Sequence, residues 1–268
     1  MTRLFAIATS DPTLMRCELA RARSLVTLDD EGLVLGLGAY DDAQLVQRRY
    51  GVGATRADMW EQPSSETALY AADTPPIGRP LEDVAQPFRM RQWLFAMAGL
   101  LPSASNATRE RLAEQLPDFL QRSLRGPAVE EAVFATFLAE LRSLGRTEDP
   151  ELPAPLAAQL LSRTAQHVED AAGQAHRASV AMLATNGRIV IATARGDAPL
   201  FYRLLEGEGA CARCELTGDE KAATALVRDH RRRRSVVFSN APVKPEQWVQ
   251  VVGGHSIAVG RSLQLQTV

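Results

Sequence analysis

Residues 1–11 read MTRLFAIATSD, and this stretch decides much of what the sequence predicts. The run from Arg3 to Thr9 is apolar and strand-like, which is typical of a strand buried in a sheet. Pro12 follows and ends it. Most chains begin with frayed residues. We therefore expect the start of this chain, with Thr2 directly behind Met1, to have a structural or chemical role.

The composition is that of a soluble globular protein, and it excludes several classes. Of 268 residues, 46% are hydrophobic and 23% are charged, with a net charge of -2. This balance predicts no general attraction to nucleic acid or to anionic lipid. No apolar run approaches the length of a membrane span, and no signal peptide is recognisable. The three cysteines are too few for a disulfide framework. We expect a reduced, cytoplasmic protein.

The order of the predicted elements is strands, then helices, then strands. Asn186-Gly187, between two apolar runs in residues 179–196, is the strongest hairpin signal. Together with the other hairpins it predicts an α+β fold built on antiparallel sheets. The remaining predicted elements are a helix over Leu14–Leu28, a hairpin that begins at Gly32–Tyr40, a Pro/Gly-rich loop over Ala72–Phe88, a strand over Trp93–Leu101, helices over Thr108–Leu124, Val129–Leu144 and Pro150–Gln174, and later strands in the segments APLFYRLL, SVVFSNAP and HSIAVG.

Short motifs along the chain, in order, resemble the class II glutamine amidotransferase domain of the N-terminal nucleophile hydrolases. The motifs are MTRLF (1–5), GLGAY (36–40), AQPF (85–88), WLFAMAG (93–99), AVEE (128–131), Asn186-Gly187, the Leu200–Tyr202 segment and VVFSNAPVKPEQW (236–248). The resemblance implies a four-layer αββα sandwich with two mainly antiparallel sheets. It also implies that residues 1–268 form a single domain.

The same resemblance assigns site positions, and most of them carry a different residue here. The family's nucleophile is a cysteine exposed when Met1 is removed, and this chain has Thr2. The arginine that binds the substrate carboxylate falls on Asp73, and the aspartate that holds the substrate ammonium falls on Val129. The oxyanion hole uses an asparagine and a glycine, which fall on Ala98 and Gly99. Only Gly99 is retained.

Loss of four roles predicts a pseudoenzyme. Threonine is a weaker nucleophile than a thiolate, and an acidic side chain at position 73 repels a carboxylate. We expect a binding, regulatory or scaffolding protein with no cofactor and no metal. Its partner would be an unidentified protein, either a second copy of this chain or an acceptor enzyme, and neither nucleic acid nor a membrane.

An active enzyme is the alternative. Thr2 would act as an N-terminal nucleophile on an amide other than glutamine, and Asp73 would bind a cationic group of that substrate. This mechanism requires removal of Met1, because the free amine of Thr2 serves as the base.

The pair Cys211-Ala-Arg-Cys214 has the spacing of metal ligands. A structural zinc site needs four ligands and the chain has no second CxxC motif, although His230 and His255 are candidates to join the pair. We expect a surface or loosely packed pair, with a metal site or a redox pair as alternatives.

The densest charge run is HRRRR at residues 230–234. It follows a predicted helix over Asp219–Arg228, where cations complement the helix dipole and remain solvated. A docking patch for an acidic partner is the alternative. A nucleic-acid-binding module is disfavoured, because the chain is acidic overall and no aromatic residues interleave with the arginines.

Overall fold

The computed structural model describes residues 2–28, 32–41, 44–54, 64–74, 85–100, 105–173, 178–218 and 224–268. All strand pairings among these residues are antiparallel, as the hairpin signals predict. Sheet A contains, from edge to edge, β13 (Val249–Gln250), β9 (Phe201–Glu206), β12 (Arg234–Ser239), β1 (Arg3–Thr9), β4 (Thr67–Asp73), β2 (Val34–Asp41) and β3 (Gln44–Tyr50). Sheet B contains β15 (Leu265–Thr267), β14 (Ser256–Val259), β8 (Val190–Arg195), β7 (Ser179–Thr185), β6 (Trp93–Leu100) and β5 (Phe88–Met90).

Six α-helices, three short 3-10 turns and a small hairpin complete the described elements. The hairpin pairs β10 (Ala210–Cys211) with β11 (Leu216–Thr217). The helices are α1 (Met15–Arg23), α2 (Ser105–Glu114), α3 (Asp118–Gln121), α4 (Val129–Ser143), α5 (Ala154–Ala172) and α6 (Ala225–Arg232). None of these six is long and apolar enough to cross a membrane.

Strand β1 lies in the middle of sheet A and is buried on both faces. Leu4, Ala6 and Ala8 point toward sheet B, while Phe5 and Ile7 pack with the side chains of α1. Successive residues of a strand point to opposite faces, so a run that is apolar at every position fits only a strand covered on both sides. The predicted buried strand over Arg3–Thr9 is confirmed with the same bounds.

Strand β6 repeats this arrangement in sheet B. Leu94, Ala96 and Ala98 face sheet A, whereas Trp93 and Phe95 pack against the helices. The layers are therefore α1, sheet A, sheet B and a helical layer of α2, α4 and α5. This is the predicted αββα sandwich.

Two motifs singled out in the sequence contact each other between the sheets. The ring of Tyr40, at the end of GLGAY, lies against the Asn186-Gly187 turn, where a Cβ on Gly187 would lie 2.9 Å from the ring. The single proton of the Tyr40 hydroxyl is shared between the carbonyl oxygens of Gln92 (2.7 Å) and Thr185 (2.9 Å). This buried tyrosine joins the GLGAY hairpin of sheet A to the Asn-Gly hairpin of sheet B.

The AQPF segment runs between the two sheets. The buried amide of Gln86 accepts a hydrogen bond from the Met97 backbone N–H (2.6 Å) and donates one to the Met97 carbonyl oxygen (2.9 Å). On its other side, a Cβ on Gly36 would overlap the Gln86 carbonyl oxygen. Gly36 is therefore part of tightly packed hairpin backbone.

The helices differ from the predictions mainly in where they begin and end. The single helix expected over Thr108–Leu124 is wrong, since α2 ends at Glu114 and α3 begins at Asp118. Pro117 separates them, because proline has no N–H to donate and its ring disfavours helical backbone at the preceding residue. The helix expected over Leu14–Leu28 ends early, at Arg23.

The arginine run also differs from the expected solvated helix end. His230 and Arg233 are buried, and Arg233 forms an ion pair with Glu18 of α1, which is also buried. Ser235 donates a hydrogen bond to the same carboxylate. Since an unpaired buried charge is costly, this pair ties the end of α6 to α1. Part of the predicted helix over Asp219–Arg228, residues 219–223, lies outside the described residues.

We predict that Gly36→Ala destabilises the protein by about 2 kcal/mol or more, because the new methyl group would overlap backbone that has no room to move. Urea denaturation monitored by circular dichroism measures the change. Gly260→Ala is the matched control, since a Cβ there would lie at an ordinary distance, 4.0 Å, from Ala154 Cβ. Equal stability of the two variants would contradict the packing described for the AQPF segment.

Candidate functional site

Thr2 lies immediately before β1. Side chains alternate between the two faces of a strand, so Thr2 is on the same face as Leu4 and Ala6, which point toward sheet B. Its backbone is held by Asn240, which follows β12. The Asn240 amide donates to the Thr2 carbonyl oxygen (2.9 Å) and accepts a hydrogen bond from the Leu4 backbone N–H (2.7 Å). Asn240 lies in the motif VVFSN, but nothing in the sequence alone indicates this role.

Asp73 lies beside Thr2 because of the register between β1 and β4. That register places Arg3 opposite Ala72, so the two strand ends meet. The Thr2 hydroxyl donates a hydrogen bond to Asp73 Oδ1 at 3.1 Å, and the Thr74 backbone N–H donates to the same oxygen at 2.8 Å. Two residues 71 positions apart in the chain, both singled out in the sequence, are therefore in direct contact.

A second carboxyl group lies near this contact. Glu130 is half-buried in the first turn of α4. Burial raises the pKa of its carboxyl group, and the negative charge of Asp73 raises it further, although the Glu130 backbone N–H lowers it in part. Our sequence reasoning missed Glu130, even though it stands next to Val129 in the motif AVEE.

The two expected oxyanion positions lie at the end of β6. Ala98 is buried between the sheets with Leu4 and Ala71, and its methyl side chain has no N–H or O–H to donate to an oxyanion. Gly99 has a φ of +143°, and a Cβ there would overlap the Ser179 carbonyl oxygen of β7. Packing against β7 therefore requires glycine at this position, whatever its chemical role.

The Val129 side chain belongs to a different apolar cluster from the residues around Thr2. It is buried in the core between sheet B and the helices, with Phe95 and Phe134, whereas Thr2 and Asp73 lie at the end of the layer between the sheets. The structure thus brings together Thr2 and Asp73, and through its charge interaction with Asp73 it adds Glu130. Residues 75–84 of the Pro/Gly-rich loop lie outside the described residues.

These groups define an acidic site around a hydroxyl. The carboxyl group of Asp73 beside Thr2, with Glu130 near Asp73, favours a cationic group and repels a carboxylate. The Thr2 hydroxyl already donates its proton to a carboxylate oxygen, which is the geometry of a general base beside a weak nucleophile.

A basic groove is lined in part by α4. Its volume is about 600 Å³, and its lining includes Phe88, Phe119 and Phe134. Four arginines line it, and Glu131 is also part of the lining. Those arginines are Arg49, Arg89, Arg91 and Arg125.

From the CxxC spacing we expect Cys211 and Cys214 to form a surface or loosely packed pair, and the structure places them in a larger cluster. Cys211 is buried, and Cys17 of α1, which the sequence left unassigned, is buried beside it. His230 of α6 joins them, so that the three sulfurs and one imidazole nitrogen all lie within 4.8 Å of one another. His255, the other candidate ligand, is exposed and is not part of this group.

The cysteine thiols have divergent acidities. Burial, together with the hydrogen bond to Cys214, raises the pKa of Cys17 to about 12. Burial acts in the same direction on Cys211, but the Cys214 backbone and the neighbouring side chains of Cys17, His230 and Cys214 outweigh it and lower the pKa of Cys211 to about 7. These neighbours favour a thiolate at Cys211.

Comparison with known proteins relates the fold to solved structures. No family model and no curated protein matches the sequence. A glutamine aminotransferase class-II domain protein from Silicibacter pomeroyi is similar with a TM-score of 0.57 and 16% identity, over 99% of this chain and 98% of that one. A predicted glutamine amidotransferase from Pseudomonas aeruginosa has a TM-score of 0.58 and 12% identity, over 98% of both chains.

A longer protein contains the same fold as one part. The glutamine phosphoribosylpyrophosphate amidotransferase from B. subtilis matches 99% of this chain but only 48% of its own length, with a TM-score of 0.51 and 12% identity. These likenesses show that the fold is that of a class II glutamine amidotransferase domain, as the sequence motifs predict. At such low identity they establish the fold alone.

We predict that Glu130→Gln stabilises the protein at neutral pH and has no effect at low pH. A raised pKa means that the folded state binds the proton more tightly, so stability falls as the pH rises from the ordinary pKa of glutamate through the raised one. The glutamine amide of the variant does not ionise, so the variant does not lose this stability as the pH rises. Unfolding temperatures of both proteins, measured by calorimetry across this pH range, check the prediction.

Two controls separate this effect from a general one. Glu114→Gln changes an exposed glutamate at the end of α2 and should give no pH-dependent difference. In an Asp73→Asn background the gain from Glu130→Gln should shrink, because part of the pKa shift comes from Asp73. An equal gain at low and neutral pH would contradict the assignment.

Proposed function

We propose that this chain, as one domain over residues 1–268, is a non-catalytic protein with the class II glutamine amidotransferase fold. Its role would be to bind another protein as a regulator or scaffold. The observation that carries the proposal is the hydrogen bond between the Thr2 hydroxyl and Asp73. A carboxylate stands beside the nucleophile position, where the resemblance implies a guanidinium.

Glutamine is a poor ligand for such a site. Its α-carboxylate would approach Asp73 and Glu130, whose charges oppose it, and Asp73 provides no bidentate donor to replace an arginine. Ala98 has no amide to hold a tetrahedral oxyanion, and one missing donor costs about 3 kcal/mol of transition-state stabilisation. These losses act on different steps, so no single substitution would compensate for them.

The basic groove supports the binding role. Its positive charge suits an acidic protein segment, although Arg91 already forms an ion pair with Glu148, and its phenylalanines suit an apolar side chain of the same segment. The partner in this proposal is either a second copy of this chain or an acceptor enzyme. Two of the similar structures are named as glutamine amidotransferase proteins, and amide transfer from glutamine is the activity that this chain would have lost.

An active amidohydrolase is the second candidate, and one observation favours it. The 3.1 Å contact with Asp73 Oδ1 polarises the Thr2 hydroxyl, as a general base would. Such an enzyme would act on an amide that carries a positive charge near the scissile bond. It would also require a free amine at Thr2.

We predict that the purified protein releases no ammonia from glutamine above the level of Thr2→Ala. Thr2→Cys, which restores the thiol, should be inactive as well, because Asp73 and Ala98 remain in place. A coupled glutamate dehydrogenase assay measures ammonia, and calorimetric titration measures glutamine binding. Hydrolysis by the unmodified protein that Thr2→Ala abolishes would overturn the proposal.

Intact mass separates the two candidates. Retention of Met1 excludes the N-terminal nucleophile mechanism, because the amine of Thr2 is then part of a peptide bond. Removal of Met1, followed by hydrolysis of a cationic amide that depends on both Thr2 and Asp73, would establish the enzyme in place of the pseudoenzyme. Asp73→Asn is the matched variant, since it keeps the shape of the side chain and removes its charge.

A further inference from the structure

We propose that Cys17, Cys211, Cys214 and His230 form a structural zinc site. Their ligand atoms come from three separate segments and all lie within 4.8 Å of one another. Three sulfurs and one imidazole nitrogen are a recognised tetrahedral zinc ligand set. This site is on the α1 side of sheet A, and it does not depend on the proposed function.

The distances suit metal coordination better than a disulfide. Zinc–sulfur bonds of about 2.3 Å place two tetrahedral ligands about 3.8 Å apart. Cys17 Sγ and Cys214 Sγ are 3.5 Å apart, whereas a disulfide requires about 2.05 Å. An odd number of cysteines would also leave one thiol unpaired in any disulfide scheme.

The tautomer of His230 suits a metal ligand. Its Nδ1 donates a hydrogen bond to the Leu226 carbonyl oxygen at 2.9 Å, which places the imidazole proton on that nitrogen. The lone pair is then on Nε2, which is fully buried and has no hydrogen-bond partner. A buried unsatisfied nitrogen is destabilising, and a metal ion between the sulfurs would satisfy it.

The local fold of the CxxC segment brings its two thiols together. A short 3-10 turn over Ala212–Cys214 connects β10 to β11, with Cys211 paired to Leu216. Glu215, directly after the second cysteine, adopts left-handed backbone with a φ of 56°. A non-glycine residue is uncommon in this conformation, and here it reverses the chain so that Cys214 returns toward Cys211.

The cluster is open to an entering ion on one side. A surface cavity of about 490 Å³ reaches Cys17 and Cys211, and it provides a route of entry for the ion. Of the charged residues in its lining, Arg21 forms an ion pair with Glu208, and Arg233 forms one with Glu18. Zinc with three thiolates and a neutral imidazole carries a net charge of about -1, which is small for a site beside these paired groups.

The site would be structural, because four protein ligands leave no open position for water or substrate. Soft thiolates and an imidazole in tetrahedral arrangement select zinc over the hard cations. The ion would connect α1 with the β10–β11 hairpin and α6, although Cys17 of α1 and Cys214 of the hairpin segment are 197 positions apart along the chain. It would lie beside the buried pair of Glu18 and Arg233, which connects the same elements.

The test begins with the unmodified full-length protein, purified under reducing conditions without chelator. We expect about one zinc per chain by elemental mass spectrometry. Cobalt substitution should give thiolate-to-cobalt charge-transfer bands and the intense visible bands of tetrahedral cobalt. Removal of the metal should lower the unfolding temperature, and zinc alone should restore it.

Variants then test each ligand. Cys17→Ser and His230→Asn should each weaken zinc binding by about tenfold or more, and Cys17→Ser should reduce the cobalt charge-transfer intensity. His255→Asn is the matched control, because it removes an exposed histidine outside the cluster and should bind zinc as the unmodified protein does.

Several results would overturn the proposal, and the first needs no variant. The unmodified protein would bind no stoichiometric zinc even after reconstitution, or would show a Cys17–Cys214 disulfide when purified without metal. Cobalt spectra without thiolate bands would also overturn the proposal. A folded Cys17→Ser protein that binds zinc as tightly as the control would overturn it too.

Discussion

The structure depends on the face-to-face contact of two antiparallel sheets through small side chains. Ala6 and Ala71 of sheet A meet Ala96 and Ala98 of sheet B in a layer that is buried from both sides. Packed sheets are separated by about 10 Å, and short side chains allow their backbones to approach without voids. Phe5 and Ile7 of sheet A and Trp93 and Phe95 of sheet B point outward from their sheets and require cover from helices, so the four layers follow from this one contact.

The same contact determines what the candidate site can do. Thr2 and Asp73 lie where neighbouring strands of sheet A end, beside the layer between the sheets. Ala98 belongs to that layer and contributes packing where the resemblance implies a hydrogen-bond donor. The cysteine cluster is on the other side of sheet A, beneath α1, so the two sites use opposite faces of the same sheet.

Prediction from sequence succeeded where local pattern dominates and failed where distant residues meet. The strand over Arg3–Thr9 and the Asn186-Gly187 hairpin were predictable, because strand periodicity and turn chemistry act over a few residues. Pro117 was a visible helix breaker, and the apolar periodicity on both sides of it led us to predict one helix. Glu130 was missed because its pKa depends on burial and on Asp73, which the local sequence does not show.

The sequence by itself determined the class of fold, the layer pattern and the identities of the residues at the implied catalytic positions. Only the tertiary structure decided which of them meet. Thr2 and Asp73 are 71 positions apart, and Cys17 and Cys214 are 197 apart. Arg233 lies in a run that looks solvated, yet it is buried against Glu18. Side-chain period and turn preference are properties of neighbouring residues, whereas burial, ion pairing and ligand geometry arise only when strand register and helix packing bring distant segments together.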